Sequence, residues 1–155
     1  MSDSRTLKPA IDDLVTREIA PSDAATIAKL SEELGYPAAA AEMKKRIESL
    51  AEFTDHVVYV ACLAGDLVGW IHVSVTRHLQ AETRAEIGGL VVSTEMRGCG
   101  IGRRLVARAE HWAVQKGLKV MVVRSNVTRE GAHRFYLKEG YTQTKTSAVF
   151  TKELV

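Results

Sequence analysis

The stretch "EIGGLVVSTEMRGCGIGRRLVARAEHWAVQKG" constrains the fold more than any other part of the chain. A β-rich apolar run ends at Val92, and glycines follow at alternate positions, Gly98, Gly100 and Gly102. Ile101, Leu105, Val106, Ala109, Trp112 and Ala113 then recur at helical spacing, up to Gly117 where a C-terminal cap belongs. Glycine weakens helix and strand alike by roughly 0.5–1 kcal/mol per residue, so this junction implies a backbone that something must approach closely. Strand, glycine turn and helix start together aim backbone amides and the positive helix end at one point, which suits an anion, phosphate above all. Arg97 and Arg103 add charge at the rim. Two phosphate motifs are excluded. A dinucleotide fingerprint requires G-x-G-x-x-G, and a P-loop ends in G-K-[ST], whereas Gly102 is followed by Arg103-Arg104.

The rest of the chain supplies a sheet for this unit. Leu14 to Ile19 reads as a short strand, and Ser22 as the N-cap of a helix with Ile27, Leu30 and Leu34 on one face, stopped by Gly35. Pro37 opens a second helix carrying Met43, Ile47 and Leu50. His56–Leu63 and Leu67–Thr76 flank Ala64-Gly65-Asp66 as a hairpin, and Glu86–Val92 is the next strand. The apolar run Lys119–Val123 predicts a strand inside the sheet. Thr128 caps a short helix with Ala132, Phe135 and Tyr136, ended by Gly140, and Tyr141 to Leu154 predicts one or two closing strands. The order predicts an α/β fold, a mixed, mostly antiparallel central sheet with helices on both faces. No repeat or linker divides it, so residues 1–13 are expected as a flexible tail and 14–155 as a single domain.

A chain of 155 residues with 46% apolar and 26% charged residues can bury a core and is not of disordered composition. No apolar run is long enough to span a bilayer and the first residues lack the apolar core of a signal peptide, so no membrane partner is expected. Cys62 and Cys99 make neither a disulfide framework nor a metal cluster, which predicts a reducing, cytoplasmic setting and no metal. From Arg97 to Arg134 nine Lys/Arg stand against Glu110 and Glu130, a net of +7, so the remainder carries −5. Such asymmetry suits a polyanionic ligand at one end of a cleft and a cationic one at the other. A nucleic-acid partner is not expected, because the cations interleave with an apolar helix face and no aromatic stacking array accompanies them.

The glycine segment also fits [RQ]-x-x-G-x-[GA] at the start of a helix after a strand. In this it resembles the pyrophosphate-binding turn of the GNAT superfamily of N-acetyltransferases. The stretch "SNVTREGAHRFYLKEGY" resembles that family's second signature. The resemblance implies acetyl-CoA as acetyl donor and a primary amine as acceptor, with direct attack of the amine on the thioester. It implies that Arg97, Gly98, Cys99, Gly100, Ile101, Gly102 and Arg103 form the phosphate turn. It also implies that two strands splay apart, so that the backbone of Leu90, Val91 and Val92 pairs with the pantetheine arm. Gly88-Gly89 fits a bulge that would bend that strand away. Tyr136 matches the general acid that protonates the leaving thiolate. Many relatives place an Asn seven residues before that Tyr; here Arg129 stands there and Asn126 three residues earlier, so one of the two is expected to touch the cofactor. Family members often dimerise, which leaves a homodimer open.

Attack by an amine also needs a base. Glu86 occupies a place where some relatives carry a catalytic Glu, and strand parity puts it on one face with Gly88, Leu90 and Val92. His72, in "GWIHVSV", is the second candidate, and His133 is read as a packing or capping residue. The acceptor wall is expected from Ser22–Glu52 and from the loop after Tyr141. Asp23, Glu32, Glu33, Glu42, Glu48 and Glu52 there predict a cationic small amine. An acyl-CoA sensor without turnover and a protein or peptide N-acetyltransferase are the alternatives.

Overall fold

A computed structural model of the chain describes residues 10–155. The expected tail therefore lies outside the described residues as far as residue 9; at its end the Leu14 amide donates to Ile11 O at 2.9 Å. Two compact units are present, one ending at Val123 and one running from Arg124 to Val155.

The first unit is a five-stranded sheet in the order β1-β2-β3-β4-β5, made by β1 (Val15–Glu18), β2 (His56–Leu63), β3 (Asp66–His78), β4 (Ala81–Val92) and β5 (Met121–Val123). The first four are antiparallel neighbours, and β5 pairs parallel to β4 after α3 (Ile101–Gln115). The β2–β3 hairpin turns at Ala64-Gly65, where both residues have positive φ. Gly69 of β3 marks the face covered by α3, because a Cβ there would meet Leu105 Cδ1 at 3.2 Å and Ile101 Cγ2 at 3.4 Å. The core condenses on that side: Ile71, Val73 and Ala85 of the sheet and Leu105, Val106 and Ala109 of α3 are all buried. Each large aliphatic among them contributes about 1.5–3 kcal/mol by leaving water. On the opposite face lies α2 (Ala40–Leu50), packed with α1 (Ala24–Glu33).

Several boundaries differ from the sequence expectation for local reasons. Ser22 is not the helix cap. It sits in a 3-10 turn, Pro21–Asp23, and Asp23 holds the start instead, accepting from the Ala20 amide and from the two terminal guanidinium nitrogens of Arg17, each at 2.8 Å. The second helix opens at Ala40 rather than at Pro37, and β5 is a three-residue edge strand rather than an interior one. Apolar content alone does not distinguish a central strand from a short edge strand that is half covered.

The second unit holds α4 (Glu130–Lys138). Arg129, not Thr128, is its N-cap; Thr128 is engaged by Asn126 Oδ1, which accepts from its amide at 3.0 Å and its hydroxyl at 2.9 Å. The closing strands expected from Tyr141 to Leu154 are absent: residues 142–155 are exposed and hold neither helix nor strand. β-formers such as Val149 and Phe150 make a strand only where a neighbour completes the ladder.

Candidate active site

The glycine segment folds as the sequence demands. After Val92 the chain makes a 3-10 turn, Thr94–Met96, and reaches Gly98 at φ +74° and Gly100 at φ +91°. Gly100 is the N-cap of α3, in the left-handed region that costs an L-residue roughly 1–2 kcal/mol. Nothing but the Ile11 side chain approaches the position a Cβ of Gly100 would take, at 3.3 Å. Ile101 buries its side chain in the core, so only its amide is available to a ligand, and Gly102 and Arg103 complete the first helical turn. Arg97 and Arg103 are exposed, and Cys99 Sγ points back to Arg97 O at 3.8 Å. Bare backbone, a helix N-terminus and cationic rims fit a pyrophosphate.

Not all of the positive segment serves that purpose. Arg104 donates to Leu14 O at 3.2 Å, Arg108 lies 4.7 Å over the Tyr59 ring, and Lys116 donates to Thr54 O at 3.1 Å. These three cations hold the fold, a use that net charge does not reveal.

The parallel ladder stops at Ile87↔Val123, whereas β4 continues to Val92, so Leu90, Val91 and Val92 run past the end of β5. A bulge lies where this begins: His72 pairs with Gly89 but Val73 with Ile87, leaving Gly88 as the extra residue. Both glycines turn toward one face, since a Cβ on Gly88 would meet His72 Nδ1 at 3.3 Å and one on Gly89 would strike the Trp70 ring at 2.8 Å.

The bulge corrects the expected parity. Glu86 pairs with Ser74, on the His72 face, whereas Leu90 and Val92 pair with Ile71 and Gly69, on the α3 face. Glu86 thus shares a face with His72, Trp70 and Val91 and not with Leu90 or Val92. His56 joins that face through its pairing with Ser74, and its Nδ1 lies 3.0 Å from His72 Nε2. The two imidazoles stack at 5.2 Å, and burial, then the neighbouring His56, pushes the His72 pKa below its ordinary value. A groove of about 530 Å³ opens over His72, walled by Glu42, Lys45, Arg46, Ser49 and Leu50 of α2. His56 is the residue that sequence reasoning missed; only its register with β3 could have found it.

The carboxylates expected to draw a cation are largely engaged. Asp23 pairs with Arg17, Glu42 with Arg46 at 2.5 Å, and Glu48 with Lys44 at 3.8 Å. Glu33 accepts from the Thr94 amide and hydroxyl.

In the second unit, Tyr136 packs edge-on against Phe135 at 5.2 Å and Tyr141 at 5.7 Å. Burial raises its phenol pKa, with Arg129 opposing, so the hydroxyl keeps its proton at neutral pH. Asn126 spends its carboxamide oxygen on Thr128, and its backbone oxygen meets His133 Nε2 at 2.9 Å, the capping role expected of His133. Among the described residues no His/Cys/Asp/Glu group could hold a metal, and no helix is long and apolar enough to cross a membrane.

Known proteins resemble this chain in sequence and in fold. An aminoalkylphosphonate N-acetyltransferase of Salmonella typhimurium is 44% identical over 91 residues, 58% of this chain and 58% of that relative, so the match spans little more than half of each. An aminoglycoside N(6')-acetyltransferase of Stenotrophomonas maltophilia is 28% identical over 143 residues, covering 89% of this chain and 92% of its own length. The fold matches an aminoglycoside 6'-N-acetyltransferase of Acinetobacter baumannii with a TM-score of 0.80, over 92% of this chain and 99% of that one, at 18% identity. The model of the acetyltransferase (GNAT) family matches residues 25–141, from α1 through the glycine turn to the end of the tyrosine-bearing helix. With most of its length inside that match, the chain belongs to the acetyltransferase (GNAT) family.

Proposed function

We propose that the protein transfers an acetyl group from acetyl-CoA to the primary amine of a small molecule. The observation that carries this reading is the turn at Gly98 and Gly100, both in the left-handed region, ahead of α3 and beside a strand that outruns its neighbour. The turn would hold the pyrophosphate, with Arg97 and Arg103 at its rim. The backbone of Leu90, Val91 and Val92 would pair with the pantetheine arm. When bound, acetyl-CoA supplies an activated acyl carbon. Tyr136 keeps a proton for the departing sulfur, and the base lies on the sheet face shared by Glu86 and His72. Asn126, with its carboxamide oxygen engaged, organises its loop, which leaves Arg129 as the residue to meet the cofactor.

The groove over His72 is proposed as the acceptor site. Glu42 is taken up by Arg46, so the further cation, Lys45, leaves the wall net positive. An amine that also carries an anionic group suits that wall, and the aminoalkylphosphonate relative acts on such a molecule by name. A polycationic amine is the second reading, favoured by the aminoglycoside relative and by the acidic remainder of the chain. Release of CoA thiol across a panel of aminoalkylphosphonates, amino acids and aminoglycosides, at low and high salt, separates them. The first reading expects aminophosphonate turnover that falls on Lys45→Glu; the second expects aminoglycoside turnover with kcat/KM falling as salt rises. No turnover of any amine overturns both.

A further inference from the structure

Three polar side chains run in file from the acceptor groove toward solvent. His72, half-buried on β3, lines the groove, and its Nε2 lies 3.0 Å from Nδ1 of His56 on β2. The Nε2 of His56 in turn lies 3.6 Å from Oδ1 of Asp55, and His56 and Asp55 are 29% and 37% exposed. Phe53 stands edge-on to His56 at 6.1 Å and holds its ring in the stack.

Resting on the acetyl-transfer reading above, we propose that His72 is the general base for the acceptor amine, with His56 and Asp55 as positioning residues that fix its tautomer and lead its proton outward.

The tautomers follow from the file. A carboxylate can only accept, so Asp55 favours the proton of His56 on Nε2, directly or through one water across 3.6 Å. His56 Nδ1 is then a lone pair, and the 3.0 Å bond requires His72 Nε2 to donate to it. The remaining nitrogen of His72, Nδ1, is left as an acceptor. It is the atom nearest the missing Cβ of Gly88, at 3.3 Å, so the bulge glycine keeps it uncovered. Burial and the adjacent ring keep His72 neutral at pH 7, the form that has a lone pair to offer.

Other charges face this ring. Glu42, Lys45 and Arg46 look onto it from α2, and Glu86 lies on β4 opposite Ser74, one register row away. Arg77, at the far end of β3, lies 3.5 Å from Asp55 and tempers its charge. In the step, His72 Nδ1 removes one proton from the acceptor ammonium. The freed lone pair forms the N–C bond to the acyl carbon as the C–S bond breaks. The thiolate takes one proton from water, the new amide sheds its surplus proton to water, and His72 passes its own to solvent along His56. Ammonium and thioester become amide, thiol and one released proton.

Two measurements on the full chain decide this. Long-range proton–nitrogen NMR of the free protein from pH 5 to 9 should show His72 with Nε2 protonated and Nδ1 bare at pH 7, and that preference should be lost in His56→Ala. The opposite tautomer, or a charged His72 at pH 7, overturns the proposal whatever the enzyme's activity. In turnover with acetyl-CoA and the best amine of the panel, His72→Gln should lower kcat/KM by about 10²–10⁴-fold and erase the acidic limb of the pH profile. His56→Ala should move that limb without changing the KM for acetyl-CoA, and His56→Gln, whose carboxamide oxygen can still accept from His72 Nε2, should restore it. Undiminished turnover in His72→Gln, with an unchanged melting temperature, overturns the base assignment; loss of the limb in Glu86→Gln instead assigns the base to Glu86. If the wild-type chain binds acetyl-CoA but acetylates no amine, the acetyl-transfer reading fails, while the NMR result still decides the ring arrangement.

Discussion

Glu33, at the end of α1, holds Thr94 across 61 positions of sequence: its Oε2 accepts from the Thr94 amide at 3.1 Å and from the hydroxyl at 2.9 Å. Thr94 begins the 3-10 turn that delivers the chain to Gly98, so one carboxylate anchors the start of the glycine turn. Glu33→Ala should cost about 1–2 kcal/mol for two charge-assisted bonds at an exposed site. It should also weaken acetyl-CoA binding several-fold in titration calorimetry. Loss of stability with unchanged affinity would show that the turn holds its shape unaided.

Gly100→Ala should destabilise by about 1–2 kcal/mol, because Gly100 sits at φ +91°. Gly100→Glu should in addition abolish the rise in melting temperature that acetyl-CoA confers on the wild type by mass action. An unchanged ligand-induced shift in the glutamate variant rules out the proposed phosphate site.

Tyr136→Phe should lower kcat at least about tenfold with cofactor affinity nearly intact. The phenol pKa is held above its usual value of 10, so the wild type should keep the acid form through neutral pH and lose this group's contribution only on the alkaline side. Steady-state rates from pH 6 to 10.5 test both statements; equal turnover of the two proteins would assign the proton to another group.

Stability should respond to acid through His72. Its folded pKa lies below the unfolded value of about 6.5, so below that value the unfolded chain binds the proton more readily. The stabilisation is therefore complete above pH 6.5 and is lost as pH falls through the folded pKa. Melting temperature should drop between pH 7 and 5, and His72→Gln should flatten part of that drop. An identical acid dependence in the variant would place the effect on other groups.

Much of this arrangement was legible from residue order. The glycine turn, α3 and the β2–β3 hairpin follow from local chemistry, in which turn residues and apolar spacing carry the instruction within a few positions. The bulge at Gly88 was foreseeable because two adjacent glycines in a strand invite one. What stayed hidden depends on registry between distant segments. His56 and His72 are sixteen residues apart, and nothing in "DHVVYV" or "GWIHVSV" says which rings meet until the ladder aligns them. The carboxylates of α1 and α2 were visible as charges, whereas their engagement with Arg17, Thr94, Arg46 and Lys44 was not. The tail after Tyr141 shows the converse, β-forming composition that makes no strand.

Gly88 makes β4 a strand with two opposite handednesses of reading. Before it, odd-numbered residues such as Ala85 and Ile87 face α3; beyond it, the even-numbered Leu90 and Val92 do. A one-codon deletion there would restore simple alternation and exchange every side chain on one arm of the strand. Either Glu86 would be turned onto the α3 face, or Leu90 and Val92 would be turned away from it. The Gly65 turn, where no heavy atom lies within 4 Å of a Cβ position, has room to absorb a change of length. Over this strand the reading frame of faces is set by counting, so a change of length there disturbs more contacts than a single substitution does.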